Sequence, residues 1–343
     1  MTVAPAPSQE RIEAIVQKTH FSPETVEQVL HLQNILSSIS GDEISKELVL
    51  IGGTAINLTQ SPPPRLSVDL DIDYVGNPSL GLKHTEEIKK KQFEHQRILD
   101  KIVNKLGYQL SKNEKSSKER LLSLNIYDGK RMVVLIELGY IYCSTVAPYR
   151  KLRFNPLDGD KIQAPFDFNV TALEELWASK LVACIFDRPV KKDVLAEYGI
   201  TRNKIRHLYD VYHLSKLISE NPDYINMERL LKIFVLFGVT RINNFFHRRG
   251  EVIERYEESE MDTILRPMLR SGERVLTLEE AKSRVRQFFD SHIFGKYEDS
   301  DYGFIGAFNK SLFQYSIYFK KHPDIVSRVR NIAYFDDLMG LLK

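Results

Sequence analysis

The sequence predicts an α+β protein: a mixed β-sheet with helices in its first half, followed by a mostly α-helical second half. Three observations carry this prediction. Short apolar or alternating runs near residues 47–51, 66–75, 121–127 and 131–142 have the period of strands. Beyond about residue 170 the apolar residues recur at helical spacing instead. A chain of 343 residues is long enough for about two domains.

Each element has its local reason. Ser22 suits an N-cap, Pro23 the first helical position and Glu24 the positive end of the dipole. Val26, Val29, Leu30, Leu32, Ile35 and Leu36 then form an apolar stripe that Gly41 ends. Glu47–Ile51 reads as a buried strand stopping at Gly52-Gly53, and Thr54–Thr59 as one or two helical turns. Pro62, Pro63 and Pro64 force a loop. Residues 83–106 read as a long charged helix. Leu121–Tyr127 and Arg131–Tyr142 read as strands of a hairpin joined through Asp128-Gly129. Helices are expected over Thr171–Asp187, Arg202–Glu220, Met227–Phe237, Leu278–Phe289 and near the C-terminus. The expected division is an α/β domain over 1–160, with a helical lead-in over 1–45, and a helical domain over 161–343.

Composition narrows the function. Lys and Arg number 48 against 46 Asp and Glu, a net charge of +2, which excludes a uniformly basic nucleic-acid coat protein. Cys143 and Cys184 have neither the number for a disulfide framework nor metal-ligand spacing. The first residues lack the pattern of a signal peptide, and no run reaches the roughly 18 apolar residues of a membrane span. A reduced, cytoplasmic protein with no membrane partner is expected.

The most informative run is Leu66–Val75. Leu66, Val68, Leu70 and Ile72 fall on one face of a strand, and Ser67, Asp69, Asp71 and Asp73 on the other. Like charges spaced about 7 Å apart repel, and cations between them would relieve this. Mg²⁺ binds such hard oxygens together with substrate phosphates. The other reading is a solvated edge whose charges deter pairing with another strand. Gly52-Gly53-Thr54 shifts the balance, because a strand opening into a helix through glycines presents backbone N–H groups and a hydroxyl to phosphate. It is not a P-loop, since no Lys-Ser/Thr pair follows. Ser67 shares the aspartate face and either bonds phosphate, orients Arg65 or is a plain strand hydroxyl.

Strand, Gly-Gly-Thr, helix, loop and Ser-x-Asp-x-Asp together resemble the DNA-polymerase-β-like nucleotidyltransferase superfamily. The run IGGTAINLTQSPPPRLSVDLDIDYVG is similar to the AbiEii/AbiGii nucleotidyltransferase toxin family. LEELWASKLVACIFDR and KIRHLYDVYHL resemble that family's helical motifs, with Lys180 and Asp210 at the matching places and His207 where an acid is usual. The resemblance spans roughly residues 48–217. It implies a polymerase-β-like domain followed by a helical domain. It also implies a Mg²⁺-dependent transfer of a nucleotide from an NTP to an acceptor, plausibly the 3′ end of tRNA, and an antitoxin encoded alongside. Asp69 and Asp71 would bind the metal, with two ions expected. Glu137, a lone acid in Val134–Leu138, is the candidate third ligand or base, and Asp73 competes with it. Gly52, Gly53 and Thr54 would cradle phosphate. Lys180 would meet the triphosphate as a point charge, and Asp210 would hold it or merely tie two helices together.

Basic runs at 101–120, 149–153 and 188–206 are either solvated faces or a backbone-binding track for RNA. Nucleotidylation of a small molecule or a protein hydroxyl, or a nucleotide-binding regulator without chemistry, are the alternative functions.

Overall fold

The computed structural model describes residues 7–60, 63–76, 85–117, 120–140, 145–154, 157, 165–185, 204–241, 251–254 and 256–294. Contacts divide the chain into two units. The first holds the described residues as far as Ala172 together with Pro267–Gly272, and the second holds Leu173–Arg266 and resumes at Glu273.

The first unit opens with two helices, α1 (Gln9–Thr19) and α2 (Pro23–Ser40). Ser8 and Ser22 cap them, each side chain accepting a backbone N–H of the first turn. His20, in the left-handed region at φ 62°, closes α1 by donating its N–H to Val16 O at 2.8 Å. Nearly every position of α2 from Val29 to Leu36 is buried, so it is a central helix. Ile12, Ile15, Phe21, Val26, Val29, Leu30 and Leu66 form one apolar cluster that joins this helix pair to the approach of the aspartate strand.

The sheet has seven strands among the described residues: β1 (Leu48–Leu50), β2 (Asp69–Tyr74), β3 (Gln109–Lys112), β4 (Leu121–Asp128), β5 (Arg131–Gly139), β6 (Arg150–Phe154) and β7 (Phe166–Val170). They lie in the order β3-β4-β5-β2-β1-β7-β6. The sheet is mixed, with β2 parallel to β5, β1 parallel to β7 and the remaining neighbours antiparallel. The expected fold class is the one found. Helix α3 (Gly52–Thr59) follows β1, and α4 (Thr85–Lys105) leads towards β3.

Details depart from the sequence reading. The aspartate strand begins at Asp69 rather than Leu66, because Leu66 N–H donates not to a neighbouring strand but to Met268 O at 2.9 Å. The hairpin turn is Gly129-Lys130, since Asp128 still pairs with Arg131, and Gly129 supplies the φ of +59° that such a turn needs. Strands β3, β6 and β7 are additional to those the sequence pattern marks. Tyr142, at the end of one expected strand, the residues 186–203 and the expected C-terminal helix lie outside the described residues.

Behind the sheet, on the face opposite the aspartates, Tyr74, His95 and Tyr140 pack together. His95 Nδ1 and Tyr140 Oη share a hydrogen bond of 2.8 Å, and burial, aided by Lys91, pushes His95 down to about 4. Lys91 reaches Glu47 at 2.8 Å across the same region.

The second unit is helical: α5 (Leu173–Ile185), α6 (Lys204–Glu220), α7 (Met227–Arg241) and α8 (Leu278–Phe288). Helix α5 packs on α6 and α7, and α8 on α6. Among the described residues no helix is long and apolar enough to cross a membrane.

Candidate active site

Period 2 in β2 decides the site's chemistry. Leu70, Ile72 and Tyr74 are buried on one side, and Asp69, Asp71 and Asp73 are half-buried on the other. Register with β5 sets Asp71 beside Glu137, Asp69 beside Leu135 and Asp73 beside Gly139. On the far side of β5, Glu137 pairs with Ser123 of β4. Asp71, Glu137 and Ser123 therefore form a row across three strands. Glu137 stands next to Asp71, and the space where a Cβ of Gly139 would stand is taken by the Asp73 carboxylate.

The turn into α3 closes on these carboxylates. Gly52 adopts φ +72°, and the Asp71 carboxylate fills the place a Cβ at residue 52 would take, its Cγ only 2.7 Å from that point. Ile51 N–H donates to Asp71 O at 3.0 Å, fixing β1 to β2 at this level. Thr54 is buried, and its hydroxyl donates to Asp69 O at 2.5 Å. That hydroxyl braces the strand, so what Gly52, Gly53 and Thr54 can offer a phosphate is the backbone N–H groups that open α3. Ser67 is buried, with its Oγ 2.8 Å from where a Cβ of Gly53 would lie.

Asp69 and Asp71, with Glu137 in register, are hard oxygen donors of the kind Mg²⁺ takes, and the side chain missing at Gly52 leaves the Asp71 carboxylate room. As the side chains lie, no three His, Cys, Asp or Glu among the described residues converge on one point.

In the second unit, Lys180 of α5 and Asp210 of α6 meet at 3.2 Å, their side chains 7% and 1% exposed. A snorkelling lysine would hold its ammonium in water; this one is buried against a carboxylate. Cys184, one turn after Lys180, is buried and accepts at its carbonyl from Tyr256 Oη at 2.8 Å; burial pushes its thiol up to about 12, so it is no nucleophile. His207 is half-buried on α6.

The described residues of the basic runs differ in exposure and pairing. Lys101 and Lys105 are exposed near the end of α4, and Lys112 is paired with Glu114 at 2.9 Å. Arg120 is buried. Arg150, Lys151 and Arg153 line the edge strand β6, exposed, with Arg153 opposite Asp167. Residues 188–203 are outside the described set. Ser123 and Asn125 alternate with Leu122, Leu124 and Ile126, a signal in the sequence that places them on the aspartate side of β4.

A mixed sheet with carboxylates on alternate positions of a central strand, fed by a strand–Gly-Gly-Thr–helix turn, is the framework of a nucleotidyltransferase. Comparison with known proteins gives the family. The profile described as nucleotidyl transferase AbiEii toxin, type IV toxin–antitoxin system, matches residues 34–297, and the chain belongs to that family of nucleotidyltransferase toxins. The match runs well past the motifs read at 48–217. Among solved structures, MenT4, a nucleotidyltransferase toxin from Mycobacterium tuberculosis H37Rv, superposes with a TM-score of 0.57 over 98% of both chains at 15% identity. No curated protein sequence matches.

Proposed function

We propose that this toxin transfers a nucleotide from an NTP to the 3′ end of tRNA and so blocks translation. The observation that carries the reading is the row formed by Asp71 and Glu137 next to Asp69, closed by Gly52 against the Asp71 carboxylate.

Asp69 and Asp71 would hold Mg²⁺, with Glu137 as the third acid and Asp73 as its competitor. The metal, when bound, neutralises charge on the triphosphate and on the attacking and leaving oxygens. The protein's own residues do the positioning. Backbone N–H groups of Gly52, Gly53 and Thr54 receive phosphate oxygens at the opening of α3, and Ser67 supports Gly53. Glu137 accepts the proton of the acceptor hydroxyl as its oxygen attacks the α-phosphorus and pyrophosphate leaves. Preorganised charge and position supply most of the rate. Family resemblance gives Lys180 a charge for the triphosphate, with Asp210 holding it.

The test is a transfer assay with Mg²⁺, each α-labelled NTP in turn and total tRNA, resolved on a denaturing gel beside Asp69→Ala/Asp71→Ala protein. Label on tRNA from the wild type and none from the variant is the expected outcome. Label on protein or on a small molecule would move the acceptor elsewhere. Full transfer by the variant would refute the assignment of the two aspartates.

A further inference from the structure

The proposed reaction assigns no task to Arg65, although its placement is unusual. It is 2% exposed, one of the largest fully buried side chains among the described residues, and it is a permanent cation. A guanidinium is seldom buried unless something fixes it. One nitrogen, Nη1, donates to Leu66 O at 3.1 Å. The other, Nη2, lies 2.8 Å from the point where a Cβ of Gly53 would be, and Ser67 Oγ lies equally close to that point. The guanidinium therefore lies in the space a side chain at residue 53 would need, so a larger residue there would displace it.

We propose that Arg65 is a positioning residue for the NTP triphosphate, acting through the Gly52-Gly53-Thr54 turn without touching the nucleotide. The guanidinium and the Ser67 hydroxyl pack where a Gly53 side chain would stand, while Thr54 is fixed separately through Asp69 O, so the turn's N–H groups are held in one arrangement. This rests on the nucleotidyltransferase reading above. It adds that part of the affinity for the triphosphate comes from a residue four positions before the first aspartate.

The experiment compares wild type, Arg65→Lys and Arg65→Gln in the full chain, with NTP titrated in the transfer assay and folding checked by thermal melting. Lysine keeps the charge but loses the flat fork; glutamine loses both. KM for NTP should rise about tenfold in Arg65→Lys and towards 100-fold in Arg65→Gln, by analogy with the loss on removing groups that orient a metal's ligands. The kcat at saturating NTP should change much less, the signature of lost binding rather than lost chemistry. Equal KM in Arg65→Lys and wild type would overturn the proposal, and that variant decides alone if Arg65→Gln fails to fold. Falls in kcat and melting temperature with KM unchanged would make Arg65 merely structural and also overturn it. Absence of transfer by the wild type would sink the underlying reaction instead, and binding of labelled NTP to the three proteins would then decide Arg65 on its own.

Discussion

Gly52 meets two demands at one position. Its backbone lies at φ +72°, and the Asp71 carboxylate occupies the space of its absent side chain. Alanine there would bring backbone strain of about 1–3 kcal/mol and would push Asp71 off its place beside Glu137. Gly52→Ala protein should melt a few degrees lower and lose far more activity than its stability accounts for, measured by melting and transfer assays on the same samples. A fall in activity matching only the unfolded fraction would show that the carboxylate had room to move. Much of this site was legible from residue order, because the period of a strand is local: three aspartates at alternate positions must share a face. What pairs with that face is not local. Glu137 is far from Asp71 in sequence, and only the parallel register of β2 and β5 shows that they are neighbours. The contact between Arg65 and Gly53 was hidden for the same reason.

At the scale of elements, α5 and α6 are tied by the Lys180–Asp210 pair. Removing one partner of a buried pair strands a charge and costs about 3–5 kcal/mol, whereas replacing both with apolar residues is often neutral. Lys180→Met and Asp210→Leu should each lower the melting temperature, and the double variant should recover it. If Lys180 also serves the triphosphate, transfer should stay lost in the recovered double variant. Recovery of transfer along with stability would reduce the pair to a helix tie. The helices themselves were readable because long amphipathic runs and N-caps are strong signals, as at Ser22-Pro23. Strands β3 and β6 are short and lie at the two edges of the sheet. In β6 the lysine and arginines that protect an edge from further pairing read, in sequence, as a basic patch. Strand β7 has clear alternation in Phe166, Phe168 and Val170, but five residues after Pro165 are too short a run to mark a strand from sequence alone.

For the molecule as a whole, acid is the condition that the buried histidines oppose. Burial holds both His95 and His213 at about 4, below the ordinary 6.5. As pH falls from 6.5 towards 4, the unfolded chain takes up protons that the folded chain refuses, so stability is lost across that window. For His95, wholly buried, the loss approaches roughly 3 kcal/mol. Melting temperature followed over this range should fall less steeply in His95→Gln than in wild type; parallel curves would mean that other groups set the acid limit. The two units also differ in how they are assembled from the chain. Pro267–Gly272 comes from between segments of the helical unit yet belongs to the first unit, where Pro267 O accepts from Thr25 Oγ1 at 3.2 Å and Met268 O from Leu66 N. Ser271 N donates to His20 O, and the Arg270 guanidinium lies over the Phe21 ring. A ribosome makes the aspartate strand early and this segment late. The nascent chain thus carries its carboxylates long before it has the piece that seats the approach to them, and a prematurely terminated toxin is a set of acids without its clasp.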